Sequence, residues 1–332
     1  MEQIDMNKIY KTNFGFAMDY KIGQKNYLVQ LIYPQENSSY HIPYILVTPN
    51  QMKEKATLSV EVNNLESDNQ EELLKNGLFT AYRLTKNLIE FDNPVLIPIL
   101  PSVKNGIPYY QQLSKECFSV PKESPYYRID LQVCSVIDDA KKKLSNQTTI
   151  DDKIFLNGYS SSGVFAQRFA LLHPERVDTA CIGGASGSIP IPLENIGYPI
   201  GIGDYEKITG HPFDMEAYEQ IKFRYYVGSL EDTRKTNERF DENGHPAPMH
   251  DMSYFRRSIP TEVGIKQREI FGKNLIERSE REIEIMKEMG IDITQQVMEG
   301  RTHNNFNGNG VNELGDSFIK ETYQNRNCSK QL

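Results

Sequence analysis

A mixed α/β architecture is predicted for this chain, with a mostly parallel central sheet and helices on both faces. Three observations carry that expectation. From residue 56 onward, short apolar runs of strand length alternate with stretches of helical periodicity, the pattern of repeated βαβ units. Some of the strand-like runs, "PVLI" at 94–97 and the "IFL" of "KIFLNG" at 153–158, are continuously apolar, as strands covered on both faces are. The balance of 38% hydrophobic and 25% charged residues is that of a soluble globular protein. The 332 residues are read as one domain, because large α/β folds often run to this length.

The elements follow in order. "NYLVQLIYP" (26–34), "HIPYILVTP" (41–49) and "ATLSVEV" (56–62) are β-rich, and the first two suit an antiparallel ribbon. In 71–90, Leu74, Leu78, Ala81, Leu84 and Leu88 fall at helical spacing. The strand at 94–97 runs into a proline-rich turn, and 127–144 is again helical. A strand at 153–158, a helix at 161–173 and a strand at 177–185 come next. A strand at 221–228, one long charged helix at 264–290, a strand at 292–300 and a closing helix at 311–324 complete the chain. Two stretches break the rhythm: 187–218, rich in Gly, Pro and Ile, and the polar 233–262. Long irregular segments in a compact domain usually serve a site, so both are expected as insertions forming a small cap over one end of the sheet.

Composition excludes several function classes. A net charge of −8 with no basic stripe argues against a nucleic-acid partner, which needs a face to neutralise phosphates. No run approaches the roughly 18 apolar residues of a membrane-spanning helix, and the first residues lack a signal-peptide core. The four cysteines, Cys117, Cys134, Cys181 and Cys328, are scattered without a CxxC pair. Cytoplasmic location and free thiols are expected. Asp241, His245, His250 and Asp251 match no zinc spacing. "GGASGSIP" (183–190) lacks the pattern of a nucleotide loop and is expected to floor a site. Tyr198, Tyr205, Phe213 and Tyr218 would suit either an apolar pocket or ordinary packing of the cap.

The most informative stretch is "IFLNGYSSSG" at 154–163. A strand that turns sharply into a helix, with a serine at the apex, strains the apical backbone and brings the two elements almost into contact. The residues two before and two after the apex must then be small. With Ser160 at the apex these are Gly158 and Ser162, with Gly163 following. With Ser161 the earlier neighbour is Tyr159, and with Ser162 the later one is the branched Val164. Ser160 is therefore the predicted nucleophile. The alternative is a helix N-cap, for which serine is well suited. Ser161 and Ser162 are assigned to the first helical turn.

"GYSSSG" and the following "FALLHPERV" resemble the nucleophile region of the α/β-hydrolase superfamily, with the nearest likeness to bacterial esterase-like hydrolases related to polyester depolymerases. Ser162 stands where that pattern has its second glycine, a small departure. The resemblance covers about 26–320 and implies an α/β-hydrolase fold whose triad follows the order Ser, acid, His. His303, just after the last strand, is the histidine that fits. His41, His173 and His211 come too early, His173 sitting at a helix end, and His245 and His250 follow no strand. The resemblance favours Asp232, after the strand at 221–228, as the acid, with Glu231 second. Ser161 would give one oxyanion N–H. The second is sought in "PILPSVKNG", where Pro98 and Pro101 have none to give. Ile99, Leu100 and Ser102 remain, and Leu100 is chosen.

The expected activity is hydrolysis of a small-molecule carboxylic ester through an acyl-enzyme, with no cofactor. A peptidase, acyltransferase or lyase on the same triad is the alternative, as is a catalytically silent binding protein that kept the scaffold. The oligomeric state is left open.

Overall fold

The structure is a computed structural model that describes residues 9–12, 15–65, 67–103, 108–185, 189–229, 239–240, 246–247, 261–272, 275–301, 303 and 313–326. Its main sheet has ten strands among them: β1 (Ile9–Thr12), β2 (Gly15–Ile22), β3 (Lys25–Ile32), β4 (Tyr44–Pro49), β5 (Ser59–Val60), β6 (Val95–Pro98), β7 (Ile154–Tyr159), β8 (Val177–Gly183), β9 (Lys222–Gly228) and β10 (Ile293–Met298). In space they run β1-β2-β3-β4-β6-β5-β7-β8-β9-β10. Strands β1 to β4 pair antiparallel, and β4 meets β6 antiparallel. From β6 to β10 every pairing is parallel. The sheet is thus mixed: a six-stranded parallel body extended by an antiparallel meander. The ribbon expected from 26–34 and 41–49 is β3 with β4, in the register Val29 to Val47.

Helices α1 (Gln70–Asn87), α2 (Ile129–Leu144) and α3 (Ser161–Leu172) connect the parallel strands β5, β6, β7 and β8 in turn. Alternate residues of each central strand face opposite sides, and so build two cores. On one side Leu96, Leu156, Ile182 and Tyr225 pack with Val133, Ile137, Phe165 and Phe169 of α2 and α3. On the other, Ile97, Phe155, Cys181 and Tyr226 pack with Leu84 of α1 and with Ile319 and Tyr323 of α8 (Glu313–Asn325). Cys117, Cys134 and Cys181 are buried free thiols; Cys328 lies outside the described residues.

Two features depart from expectation. β1 and β2 extend the sheet where no strand was predicted. The stretch 264–290 is two helices, α6 (Thr261–Phe271) and α7 (Leu275–Glu288). The break falls at Gly272, whose φ of +119° a side-chain-bearing residue rarely adopts. The described part of the first insertion is packed as core: Ile189, Ile191, Tyr198, Tyr205 and Tyr218 are buried in the larger cluster. It contains the short helices α4 (Tyr205–Thr209) and α5 (Met215–Glu219). Its aromatic residues face each other edge-on, with Tyr205 on Phe213 at 5.1 Å between ring centres. The Tyr198 hydroxyl donates to the Leu113 carbonyl. These contacts account for the aromatics by packing. Most of 233–262 lies outside the described residues.

Candidate active site

Strand order positions the site. β5 lies between β6 and β7, so the chain leaves β5 toward one side of the sheet and leaves β7 toward the other. A crevice opens between the carboxyl ends of two strands whose connections diverge in this way. The loop after β5 (61–65) and the turn after β7 therefore meet there. Asn64 makes the join: its Nδ2 donates to the Tyr159 carbonyl at 2.9 Å, and its Oδ1 accepts the Ser162 N–H at 3.3 Å.

Ser160 sits at the apex of that turn with φ 57° and ψ −118°, a conformation that L-residues hold only where their surroundings over-determine it. The surroundings do so. Its N–H donates to the Gly183 carbonyl at 2.9 Å, and its carbonyl accepts the Val164 N–H at 3.0 Å, opening α3. The Tyr159 N–H donates to Ser162 Oγ at 2.9 Å. A side chain at Gly158 would begin 2.2 Å from the Ser162 carbonyl oxygen, and one at Gly163 would begin 2.9 Å from the Gly183 oxygen. Close approach thus demands glycine two residues before the apex and three after it. At the intervening position Ser162 fits because its hydroxyl closes the turn.

His303 Nε2 stands 2.8 Å from Ser160 Oγ. Two residues on the sheet side hold it there. Tyr159 donates its hydroxyl to the His303 carbonyl at 2.9 Å, and the two rings lie 5.3 Å apart at 35°. Gly184, at φ +57°, passes so close that a side chain would meet Tyr159 Cζ at 2.9 Å and His303 Cε1 at 3.1 Å. Both Ser160 and His303 are half-buried, so the pair is reachable from solvent. Asp232 and Glu231 lie outside the described residues, as do Asp241, His245, His250 and Asp251.

Ser161 Oγ donates to the Tyr109 hydroxyl at 3.0 Å, and its N–H belongs to the first helical turn, where no intrahelical acceptor exists. Leu100 is placed differently from expectation. It is fully buried, and its N–H donates to Asn63 Oδ1 at 2.7 Å.

No family model matches the chain, and no curated protein matches it. Among solved structures it is similar to poly(aspartic acid) hydrolase-1 from Sphingomonas sp. KT-1, at 14% identity over 89% of this chain and 97% of that one, with a TM-score of 0.55. It is also similar to a thermostable esterase (13% identity, 98% of this chain and 77% of that one, TM-score 0.48). A third is an S-formylglutathione hydrolase from Agrobacterium tumefaciens (13%, 93% and 96%, TM-score 0.46).

The chain has the α/β-hydrolase fold.

In an α/β hydrolase the loop that precedes the first crossover helix runs beside the nucleophile turn. Here that helix is α1 and the loop is 61–65, not the segment after β6 where Leu100 lies. The expectation of Leu100 takes the loop after the strand at 94–97 as the donor loop, whereas in space the short strand at 59–60 lies between that strand and β7. Two residues that the structure brings against the turn at Ser160 and against His303, Asn64 and Tyr159, are not among those expected from the sequence. Asn64 had a signal, a pair of asparagines directly after a strand, but Tyr159 had only its position beside the apex.

Proposed function

We propose that the protein is a serine hydrolase that cleaves carboxylic esters, with Ser160 as nucleophile and His303 as its base. One observation carries the reading: an imidazole nitrogen 2.8 Å from a serine hydroxyl at a strained strand-to-helix apex. A serine hydroxyl is a weak nucleophile until an adjacent base takes its proton. With Nε2 as acceptor, the ring proton lies on Nδ1, and Asp232, or Glu231 in its place, is the group assigned to hold it. Attack on the ester carbonyl transfers the Ser160 proton to His303 and places negative charge on the carbonyl oxygen. The imidazolium then protonates the departing alcohol, and water, activated by the same ring, releases the acid.

The Ser161 N–H is one assigned donor to that oxyanion. The second is assigned to Leu65, because the neighbouring Asn64 N–H is committed to Asn76 Oδ1 at 2.8 Å and the loop is tied to the turn. The site as assigned needs no cofactor.

A fluorophosphonate probe tests the reading. The wild-type protein is expected to label at Ser160, and Ser160→Ala to lose labelling together with about 1,000-fold or more in kcat on nitrophenyl esters. Labelling elsewhere, or nitrophenyl-ester turnover that survives Ser160→Ala, overturns it. Labelling at Ser160 without turnover of nitrophenyl esters of any acyl length would favour another acyl-transfer reaction on the same site, and poly(aspartic acid) is the first alternative substrate to offer.

A further inference from the structure

Beneath the nucleophile turn lies a buried charge that the proposed chemistry does not use. Glu61 directly follows β5 and is 1% exposed. An ionised carboxylate so deep needs several donors to offset its lost hydration, and three reach it. Arg83 Nη2 of α1 lies 2.5 Å from Oε1, Asn157 Nδ2 of β7 donates to Oε2 at 2.6 Å, and Ser162 Oγ stands 3.2 Å from Oε1. Asn157 makes its bond while its own Oδ1, fully buried, has no hydrogen-bond donor among the described residues. A scaffold in need of stability alone would favour an apolar residue of similar size at such a point.

The link through Ser162 gives the charge a task. Ser162 Oγ accepts the Tyr159 N–H and has one hydrogen to give, with the Tyr159 carbonyl at 3.0 Å and the Glu61 carboxylate as the two acceptors in reach. The Tyr159 carbonyl already accepts from Asn64, and a carboxylate is the stronger acceptor. Held by Glu61, the hydroxyl turns a lone pair toward the Tyr159 N–H and clamps the two residues that flank the strained apex. We propose that Glu61 is a positioning residue: through Ser162 it fixes the backbone of the nucleophile turn so that Ser160 Oγ stays in line with His303. The inference rests on Ser160 being the nucleophile. It explains three serines in a row, one to react, one to wall the site against Tyr109, and one to connect the turn to a buried anion.

The test compares wild type, Glu61→Gln, Ser162→Ala and the double variant, each as the full chain. Fluorophosphonate labelling rate, kcat and KM on a nitrophenyl ester, and Tm are the readouts. Each single variant is expected to lower the labelling rate and kcat about 10- to 100-fold, the scale of small misplacements of a reacting group, with KM within about twofold. The double variant should be no slower than the slower single one, because both changes cut the same link. If Glu61→Gln fails to fold, Ser162→Ala still decides, since it removes only one hydroxyl. A folded Ser162→Ala that labels at the wild-type rate overturns the positioning role and leaves the nucleophile untouched. A wild-type protein that does not label at Ser160 overturns the reading beneath it instead.

Discussion

Tyr159 does two things that its neighbours in sequence do not suggest. It ends a strand whose backbone feeds the turn at Ser160, and its side chain folds back under His303 to hold that residue's carbonyl. Removing only the hydroxyl separates these roles. Tyr159→Phe keeps the ring contacts with His303 and Tyr226 but loses one hydrogen bond, worth about 1 kcal/mol. Both halves of the proposed cycle use the imidazole, so kcat is expected to fall about fivefold with KM little changed; an unchanged kcat in steady-state assays would show that His303 is held by other means. Gly158 fails differently. Alanine there meets backbone at 2.2 Å, so Gly158→Ala should lower Tm and abolish labelling together. At this scale the sequence was readable where sterics were local. The small residues around Ser160 and the histidine after the last strand led to two groups that lie 2.8 Å apart. Leu100 was misplaced because its error was one of strand order, which no short window of residues contains.

Elements were legible wherever periodicity and length agreed. The helices at 71–90, 127–144 and 161–173 were expected within three residues of where α1, α2 and α3 end and begin. The failures have separate causes. β2 alternates weakly, with exposed or half-buried residues on most of its length, so its pattern did not stand out. The 264–290 helix carried an amphipathic period across Gly272 that masked the break. One contact between elements was partly visible: His173, expected at a helix end, closes α3 and reaches across to the N-terminus of α2. There Asp130 faces the His173 Nε2 at 3.1 Å and is gripped by Arg128 at 2.9 and 2.7 Å. Burial pushes the Asp130 carboxyl up, but the bonds from His173 and Arg128 outweigh it and hold the carboxyl down at about 2. A depressed folded-state value stabilises above the unfolded value near 4 and is lost as pH falls toward 2. Asp130→Asn should therefore forfeit about 2 kcal/mol at neutral pH, and the gap in Tm between variant and wild type should close between about pH 4 and pH 2.

Across the whole molecule, the first insertion, α6 and α7 are joined around another buried acid. Glu282 of α7 is 0% exposed, accepts from Gln267 of α6 at 2.6 Å, and takes the Ile189 N–H at 3.1 Å. Burial lifts its carboxyl to about 8, against the pull of those two donors and of Arg278. The sign is opposite to that of Asp130. A raised folded-state value means that the folded protein binds the proton that the unfolded chain releases near 4.5, so stability declines as pH rises from about 4.5 to 8 and is flat beyond. The two acids thus act in separate windows, one below about pH 4 and one above it, and leave the fold most secure in mildly acidic solution as far as these groups decide. Glu282→Gln keeps the shape and removes the titration. Thermal melts from pH 5 to 9 should show the variant gaining on wild type up to about pH 8, by a total on the order of 4 kcal/mol, and then running parallel. Curves parallel over the whole range would mean that Glu282 is ionised in the folded protein throughout, with Gln267, Ile189 and Arg278 fully offsetting its burial.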